Sequence, residues 1–217
     1  MKLFLFFLVI VSHQLFSQAV RSNESLWDQI RFNSKLQYDS DRSEITNASE
    51  KYIGNQYLIN RLSKNGQRYL YYTVKEGLRK NLPVELSLIP FVESQFDPYA
   101  RSATGASGIW QFIPSTAKEN GLKKNWWYDG RRDIVASTEA AYGFLSKLYE
   151  RYGDWLIAIA AYNAGPSRIR KEIEKNKKKG LPTDFWSLNL PRETKSYVPK
   201  ILAIVELIRN PDRFDIQ

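Results

Sequence analysis

VELSLIPFVESQFDP, residues 84–98, is the most informative run in the sequence. It follows Pro83, and because proline is favoured in the first turn of a helix, the run is predicted to open one. Pro90 lies within the same run and is predicted to kink or tighten that helix near its end. The run is rich in leucine, isoleucine, phenylalanine and valine, so one face of the helix is expected to be apolar.

Glu93 is placed by helical spacing beside Leu86 and Ile89, which lie seven and four residues before it. A carboxyl group on such a face loses hydration, which disfavours its ionised form and raises its pKa. A carboxyl group that stays protonated near neutral pH can protonate the leaving oxygen of a glycosidic bond. From spacing alone, however, a structural glutamate at the edge of the core, paired with an arginine such as Arg101, is the stronger interpretation.

Helical periodicity extends on both sides of this run, whereas no segment alternates with the period of two that marks a strand. Before it, Leu70, Val74 and Leu78 fall on one helical stripe. After an ordered loop, further helices are predicted at 115–120, 133–152 and 155–161, then from Pro166 and finally from Pro191. The sequence therefore predicts an all-α protein whose main domain covers residues 66–217.

The N-terminus has the pattern of an export signal. Met1-Lys2 is a short basic start, residues 3–11 are apolar, and Ser17-Gln18-Ala19 fits a cleavage site. Residues 1–19 are predicted to be a signal peptide, with a buried helix or an uncleaved anchor as the alternatives. No other run is apolar enough to span a bilayer, so no transmembrane segment is expected after cleavage. Residues 20–65 form a polar flanking segment without a strong period, and the run YDSDRSEITNASE within it, residues 38–50, is predicted to be loop or weak helix.

The sequence has no cysteine, and its one histidine, His13, lies inside the predicted signal peptide. Ser-His-Asp and Cys-His catalysis, disulfides and the usual zinc sites are therefore excluded for the mature chain. No metal site and no cofactor is predicted. Because a lipid-anchored export signal needs a cysteine at the cleavage point, we expect an exported, soluble periplasmic protein rather than a lipoprotein.

The formal net charge of +9 favours an anionic surface or polymer as a partner. Part of the excess lies in RIRKEIEKNKKKG, residues 168–180, which is most simply a solvated helix end; a docking patch for an anionic polymer is the minority interpretation. Nucleic acid is the usual partner of a basic protein, but the chain has no recognisable nucleic-acid module. No nucleic-acid partner is therefore expected.

A second motif, SATGASGIWQFIPSTA, follows at residues 102–117. Gly105 and Gly108 allow the backbone to approach a ligand closely or to take positive φ. Gln111 offers a donor and an acceptor to sugar amides and hydroxyls, and Trp110 offers a flat face to a sugar ring. Taken alone, the motif is better explained as a turn between helices with a core tryptophan.

Two later motifs also carry polar groups at helix positions. AAYNAGP contributes Tyr162 and Asn163 at the end of an otherwise apolar helix, where a helix break is the ordinary explanation. LPRETKSYVPKILA contributes Glu193 and Tyr197, which lie four residues apart on one helical face. A surface pair involving Glu193 accounts for this last arrangement equally well.

The order and spacing of the four motifs resemble the soluble lytic transglycosylase family, which has a goose-type-lysozyme-like fold. The family's Glu-Ser dipeptide matches Glu93-Ser94, and its Gly-x-x-Gly-(Leu/Ile)-x-Gln motif matches residues 105–111. Its Ala-Tyr-Asn-(Ala/Ser)-Gly motif matches residues 161–165, and its Glu-Thr-x-x-Tyr-Val motif matches residues 193–198. The phrases DGRRDIVAST and TDFWSLNLP look most like the membrane-bound lytic transglycosylase D group. The resemblance covers residues 26–213.

The resemblance implies an all-α, lysozyme-like domain with a substrate groove. It also implies cleavage of the β-1,4 bond between N-acetylmuramic acid and N-acetylglucosamine in peptidoglycan, with a 1,6-anhydro end as the product and Glu93 as the single general acid and base. The side chains expected to contact substrate are Ser102, Trp110, Gln111, Tyr162, Asn163, Glu193 and Tyr197. Glycan strands are the expected partner. The protein is expected to be a monomer that lacks the C-terminal LysM repeats common in the D group.

Three other functions stay open at this point. A goose-type-like lysozyme on the same fold would use water as the nucleophile instead of the sugar's own hydroxyl. A catalytically silent protein would bind peptidoglycan without cutting it. A nucleic-acid binder is suggested only by the positive charge of the chain.

Overall fold

The structure is a computed structural model that describes residues 25–214, so the predicted signal peptide lies outside the described residues. The described α-helices are α1 Leu26–Phe32, α2 Ser43–Ile53, α3 Gln56–Arg79, α4 Ile89–Ser94, α5 Pro114–Glu119, α6 Ile134–Tyr152, α7 Trp155–Ala164, α8 Pro166–Lys178 and α9 Arg192–Arg209. Short 3₁₀ helices occupy Val84–Leu88, Phe185–Ser187 and Pro211–Phe214. The all-α prediction is confirmed. Over the same range, no helix combines the length and the apolar character that a membrane crossing requires.

The centre of the core is formed by α7 and α9, which pack against each other. In α7 every residue from Leu156 to Ala161 is buried, and the alanines among them allow neighbouring helices to approach closely. A helix that is apolar on all sides is typical of a protein interior rather than a surface. Since α6 and α8 also pack on α7, its last turn is held firmly, and that turn carries Tyr162 and Asn163.

The polar segment before α3 is more ordered than the sequence indicated. Helices α1 and α2 both pack against α9. Ile30, Leu36 and Ile45 from this segment are buried in the core. Of residues 38–50, predicted to be loop or weak helix, those from Ser43 onwards belong to α2, and Ile45 is buried there; a few well-spaced apolar side chains thus hold a segment of polar composition against the core.

A buried carboxylate also fixes this segment. Glu85 accepts hydrogen bonds from the backbone N–H groups of Lys35 and Leu36, at 2.7 and 2.8 Å, and from the Ser34 hydroxyl. Backbone groups that leave water need such partners, so these bonds hold the segment after α1 against the core. The boundary predicted near residue 65 falls inside α3. The division of the chain at that point stays a prediction.

The run at residues 84–98 forms two short helices instead of one. The tight turns occupy the start of the run rather than its end: Val84–Leu88 is a 3₁₀ helix, and Pro90 then lies in the first turn of α4, where its missing N–H costs little. After α4, Gln95 and Phe96 have φ values of 53° and 59°, a left-handed conformation that is uncommon for residues other than glycine. The buried Phe96 ring holds this turn, and Glu93 lies just before it, in the last turn of α4.

Two loops beyond α4 pack directly against each other through their backbones. We call residues 97–113 the motif loop and residues 123–131 the aromatic turn. Gly108 in the motif loop has a φ of +81°, and a Cβ atom there would lie 1.7 Å from the carbonyl oxygen of Arg131. The Arg131 guanidinium donates from Nη1 to the carbonyl oxygens of Gly105 and Phe112, at 2.8 and 3.2 Å. The two loops therefore form one rigid unit.

Candidate active site

A cleft of about 380 Å³ lies beside the end of α4 and is bounded by the motif loop, α5, α6, α7 and the start of α9. It brings together six of the eight predicted site residues, namely Glu93, Ser102, Gln111, Tyr162, Asn163 and Glu193. Four separate motifs thus place polar side chains in one space. Their contacts with a glycan stay predictions.

Glu93 is the half-buried carboxyl group of this cleft. The Tyr197 hydroxyl, from α9, donates a hydrogen bond to Glu93 Oε1. Burial raises the pKa of Glu93 from 4.5 to about 7; the Tyr197 hydrogen bond opposes this rise in pKa, and the negative charge of Glu193 adds to it. A group with this pKa holds its proton through much of the neutral range, so it can act as a general acid and then as a base.

The residue after Glu93 joins its helix to the motif loop. Ser94 Oγ lies 3.0 Å from the carbonyl oxygen of Ile109 and 3.1 Å from that of Pro90. The first contact crosses from α4 to the loop that carries Gln111. The Glu-Ser dipeptide therefore has a physical basis, since the serine fixes the distance between the acid and the loop on the other wall.

The motif loop presents a restricted set of polar groups. Gln111 has a φ of 49°, and its amide nitrogen donates to the carbonyl oxygens of Gly108 and Ala100, at 2.8 and 3.2 Å. Both donors are thus used by the loop itself, and Gln111 can offer a ligand only its amide oxygen. Ser102 Oγ lies 2.9 Å from Thr104 Oγ1 and accepts a bond from the Ala106 N–H, so it also shapes the loop.

The end of α7 supplies a phenol and an amide. The Tyr162 hydroxyl donates to the carbonyl oxygen of Trp110 at 2.7 Å, which ties α7 to the motif loop. Burial, followed by the nearby charge of Glu93, raises the pKa of Tyr162 well above its ordinary value, so it stays neutral. Asn163 Oδ1 accepts a 2.8 Å bond from the Thr194 hydroxyl on α9. With its oxygen held, Asn163 can direct its amide nitrogen at a ligand as a donor.

The prediction that Trp110 packs against a sugar ring is wrong. Its side chain has no exposed surface, and its indole N–H donates to Thr138 Oγ1 at 3.0 Å. The ring also meets Tyr142 edge to face, with centroids 5.4 Å apart. The structural interpretation of this tryptophan, a core residue beneath a turn, is the correct one, because only its backbone carbonyl reaches towards the cleft through Tyr162.

The predicted role of Tyr197 also needs correction. Tyr197 is buried, and its hydroxyl contacts Glu93 rather than open space. It does not line the cleft, although Glu193, one turn earlier on α9, does. The pattern of two polar residues four apart placed both on one helical face, but it could not tell which of them lies beneath the Glu93 carboxyl group.

Several cleft residues were not predicted from the sequence. The motif loop and α5 add Thr104, Phe112, Ile113 and Thr116, and α6 adds Phe144. The Phe144 ring lies 5.7 Å from the Tyr162 ring, centroid to centroid, and closes one side of the cleft. Thr104 lies within a motif already singled out, so proximity could have found it. Phe144 carries no such signal, because it occupies an ordinary position on a helix.

The sequence matches the Transglycosylase SLT domain family over residues 70–184. It is 44% identical over 178 residues to "Membrane-bound lytic murein transglycosylase D" from Escherichia coli K12, which covers 82% of this chain and 39% of that protein. It is also 40% identical over 150 residues to a "Putative tributyltin chloride resistance protein" from Alteromonas sp. strain M-1, covering 69% and 72% of the two chains. This chain therefore spans about two fifths of the Escherichia coli relative.

Two solved structures share the fold. The 70 kDa soluble lytic transglycosylase SLT70 from Escherichia coli superposes with a TM-score of 0.53 at 21% identity, covering 80% of this chain and 31% of that one. An inactive glutamate-to-glutamine mutant of the lytic transglycosylase Slt from Pseudomonas aeruginosa gives a TM-score of 0.52 at 24% identity, covering 83% and 32%. These likenesses confirm the predicted lysozyme-like fold class, and the sequence match shows that the chain belongs to the transglycosylase SLT family.

Proposed function

We propose that this protein is a peptidoglycan lytic transglycosylase. In this proposal it cleaves the β-1,4 bond between N-acetylmuramic acid and N-acetylglucosamine and leaves a 1,6-anhydro end. The observation that carries the proposal is Glu93, a carboxyl group whose pKa is raised to about 7, in a cleft lined by side chains from three other motifs. The name of the Escherichia coli relative supports the substrate class.

The first step is proton transfer to the leaving group. Tyr197 occupies Oε1 of Glu93, so the proton to be donated belongs on Oε2. As the bond from C1 to the leaving 4-oxygen breaks, that oxygen takes the proton, and Glu93 becomes a carboxylate. The Tyr197 hydrogen bond then stabilises the new charge, because a donor to the ionised form favours it.

The second step closes the product ring. The 6-hydroxyl oxygen of the muramic sugar bonds to its own C1, and Glu93 accepts the hydroxyl proton. Glu93 is thereby restored and no water is consumed. Intramolecular attack gains from high effective molarity, provided the sugar is held in a suitable conformation. The Gln111 oxygen and the Asn163 amide N–H are complementary to an acetamido group, which has one N–H and one carbonyl oxygen.

Hydrolysis by a lysozyme-like reaction is the second candidate, and Glu193 favours it. This exposed carboxylate lines the same cleft as Glu93. A pair of carboxyl groups across a sugar ring is the usual equipment of a glycosidase, one as the acid and the other as the base that activates water. In a transglycosylase, Glu193 would contact substrate without activating water.

Glu93→Gln tests the acid–base role, with digestion of purified sacculi as the assay. Loss of a general acid–base group lowers the rate by about 100-fold or more, and the folded state should survive because the glutamine is isosteric. Glu119→Gln, at an exposed position on α5, is the matched control and should digest normally. Comparable digestion by Glu93→Gln would refute the assignment, and a wild type without activity would indicate a silent binding protein.

Mass analysis of the released muropeptides separates the two reactions. Transglycosylation yields products one water lighter than hydrolysis does. Glu193→Gln sharpens the test: a water-activating base is required for hydrolysis but not for ring closure. Hydrated products that disappear in Glu193→Gln would replace the proposal with the lysozyme reaction.

The cellular setting is also proposed. Residues 1–19 carry the features of an export signal, and the Escherichia coli relative is named as membrane-bound. We place the protein in the periplasm, where glycan strands are its partner, acting as a monomer. Export is checked by fractionating cells and probing for a mature protein that lacks its first residues.

A further inference from the structure

The aromatic turn carries the most exposed large apolar side chains of the described residues. Trp126 and Trp127 are 87% and 90% exposed, and Tyr99 on the adjoining motif loop is 75% exposed. All three line one recess of about 670 Å³. Single exposed aromatics are common on proteins, but a cluster around a recess indicates a binding surface. None of these three side chains belongs to the catalytic cleft.

The turn is held in one conformation by its own hydrogen bonds. Asn125 Oδ1 accepts from the N–H groups of Trp127 and Tyr128, at 2.9 and 2.8 Å, and the Asn125 N–H donates to the Tyr128 carbonyl oxygen at 2.8 Å. The two indole rings meet at 87°, with centroids 6.3 Å apart, so they form a corner with two usable faces. A preformed surface binds without paying the entropy of ordering a loop.

The recess also contains cations beside the aromatic faces. Arg101, Lys124 and Arg132 line it together with the two indoles. Arg101 and Lys124 are exposed, so their charges reach solvent at the mouth of the recess. The recess therefore presents a flat apolar face next to cationic groups that attract carboxylates.

Two carboxylates lie in the same recess, but internal contacts engage both. Asp129 forms a 2.6 Å ion pair with Arg131. Asp133 accepts from the Tyr128 hydroxyl at 3.0 Å and from the Ala136 N–H at 2.9 Å as the cap of α6. They build the wall of the recess and leave a net positive charge for a ligand.

We propose that this recess is a second peptidoglycan-binding site, in which an indole face stacks on a sugar ring while the cations pair with carboxylates of the peptide stem. The proposal rests on the proposed function for its ligand. Charge complementarity supports it, since stem peptides are acidic and the mouth of the recess is basic. The motif loop lines both the recess and the cleft, so a strand held at the recess stays near Glu93.

A lipid surface is the other occupant that exposed tryptophans and cations suggest. Surfaces that insert into lipid present an apolar face without carboxylates. Here the recess is lined by Asp129, Asp133 and the amide of Asn125 beside the indoles, and these groups would lose hydration in lipid. The polar lining therefore favours a hydrated glycan.

The test is binding to intact sacculi by the full-length mature protein carrying Glu93→Gln, which removes the proposed digestion from the assay. Adding Trp126→Ala and Trp127→Ala should raise the Kd by about tenfold or more, because aromatic anchors dominate such surfaces. Phe32→Ala, at a side chain 70% exposed on α1, is the matched control and should leave the Kd unchanged. The indoles make few internal contacts, so thermal unfolding should confirm that all three proteins are folded.

A charge variant tests the cations separately. Arg101→Gln with Lys124→Gln should weaken sacculus binding by about threefold at low salt and less at high salt, because exposed charges are screened. Lys177→Gln with Lys178→Gln, at the basic end of α8, removes the same charge elsewhere and should have the smaller effect. Equal effects of the two pairs would show that the net charge of the protein, and not the recess, attracts the wall.

Binding to phosphatidylglycerol vesicles tests the alternative that the recess is a lipid-binding site. If the tryptophan variant loses vesicle binding while its Kd for sacculi is unchanged, the surface is a lipid site and the proposal is wrong. If neither binding changes, the recess is not a binding site. Muropeptide release by the protein with intact Glu93 reports on the proposed function independently, so a failure of catalysis and a failure of this site give different results.

Discussion

Trp110 and the pair Trp126–Trp127 lie on two loops that pack together, yet their indole rings have opposite environments. The Trp110 ring is fully buried and its N–H is satisfied by Thr138, whereas the pair is almost fully exposed at the tip of the aromatic turn. The first ring stabilises the motif loop from below. The other two are held out by backbone bonds of the turn and contribute little to packing.

The difference shows that a tryptophan inside a sequence motif need not be exposed at the surface, whereas one outside the motifs can be. Trp110 lies one residue before Gln111, which lines the cleft, but the left-handed backbone at Gln111 sends the two side chains apart. The Trp110 ring makes apolar contacts inside the protein, whereas the rings of Trp126 and Trp127 leave apolar surface in contact with water. The same type of side chain can therefore stabilise the fold in one loop and, as proposed here, bind a ligand in its neighbour.

The largest expected effect that tests this comparison is on the stability of the protein. Trp110→Ala should destabilise the protein by about 3–5 kcal/mol, because it opens a cavity and leaves Thr138 without its donor. Trp127→Ala should change the free energy of unfolding by less than about 0.5 kcal/mol. Urea unfolding measures both. Similar losses in the two variants would mean that the two environments are less different than the structure indicates.

The contact between the two loops gives the next effect. Gly108→Ala should cost about 3 kcal/mol or more, since the new Cβ atom would lie 1.7 Å from the Arg131 carbonyl oxygen and the loops must separate. Gly105→Ala is the matched control: its φ is +82°, but nothing lies within 4 Å of its Cβ position. That variant should lose only about 1 kcal/mol from the left-handed backbone. Equal losses would indicate that backbone strain alone, and not the loop contact, requires glycine here.

The helices were largely predictable because their ends carry local signals. Asp133 caps the start of α6 with its side chain, and Gly153 ends that helix at a φ of 69°. The segment before α3 was not predictable, since its order depends on α9 and on Glu85, which are distant in sequence. Helical periodicity indicates which residues share one face of a helix, but it does not indicate contacts between residues that are distant in sequence.

The candidate site was predictable to a similar degree. Four motifs identified six of the residues that line the cleft, and the apolar neighbours of Glu93 anticipated its raised pKa. The burial of Trp110 and the contact of Tyr197 with Glu93 were missed, because each depends on how a loop or a helix is rotated against another element. The exposure of the aromatic turn was also missed, because a tryptophan is most often part of a core.

The smallest effect concerns the pH dependence of the cleft. There the functional group is the buried hydroxyl of Tyr197, whereas in the aromatic turn the rings are exposed. Because the pKa of Glu93 is raised to about 7, activity should be highest below that value and fall as pH rises through it. The Tyr197 hydrogen bond favours the carboxylate, so Tyr197→Phe should raise the pKa of Glu93 further and move the falling limb to higher pH. The same variant should lose roughly tenfold in rate on the acid side, since a bond to a charged group is removed.

Muropeptide release measured from about pH 5 to about pH 9 covers both sides of this transition. Tyr142→Phe is the matched control, since its hydroxyl donates to the Thr73 carbonyl oxygen, at 2.6 Å, rather than to Glu93. It should lower stability and leave the limb in place. If Tyr197→Phe moves the limb to lower pH, then its hydroxyl favours the protonated acid, and the proposed stabilisation of the Glu93 carboxylate by Tyr197 is wrong. If the limb does not move, the Tyr197 hydroxyl does not influence the pKa of Glu93, and burial together with the charge of Glu193 sets it.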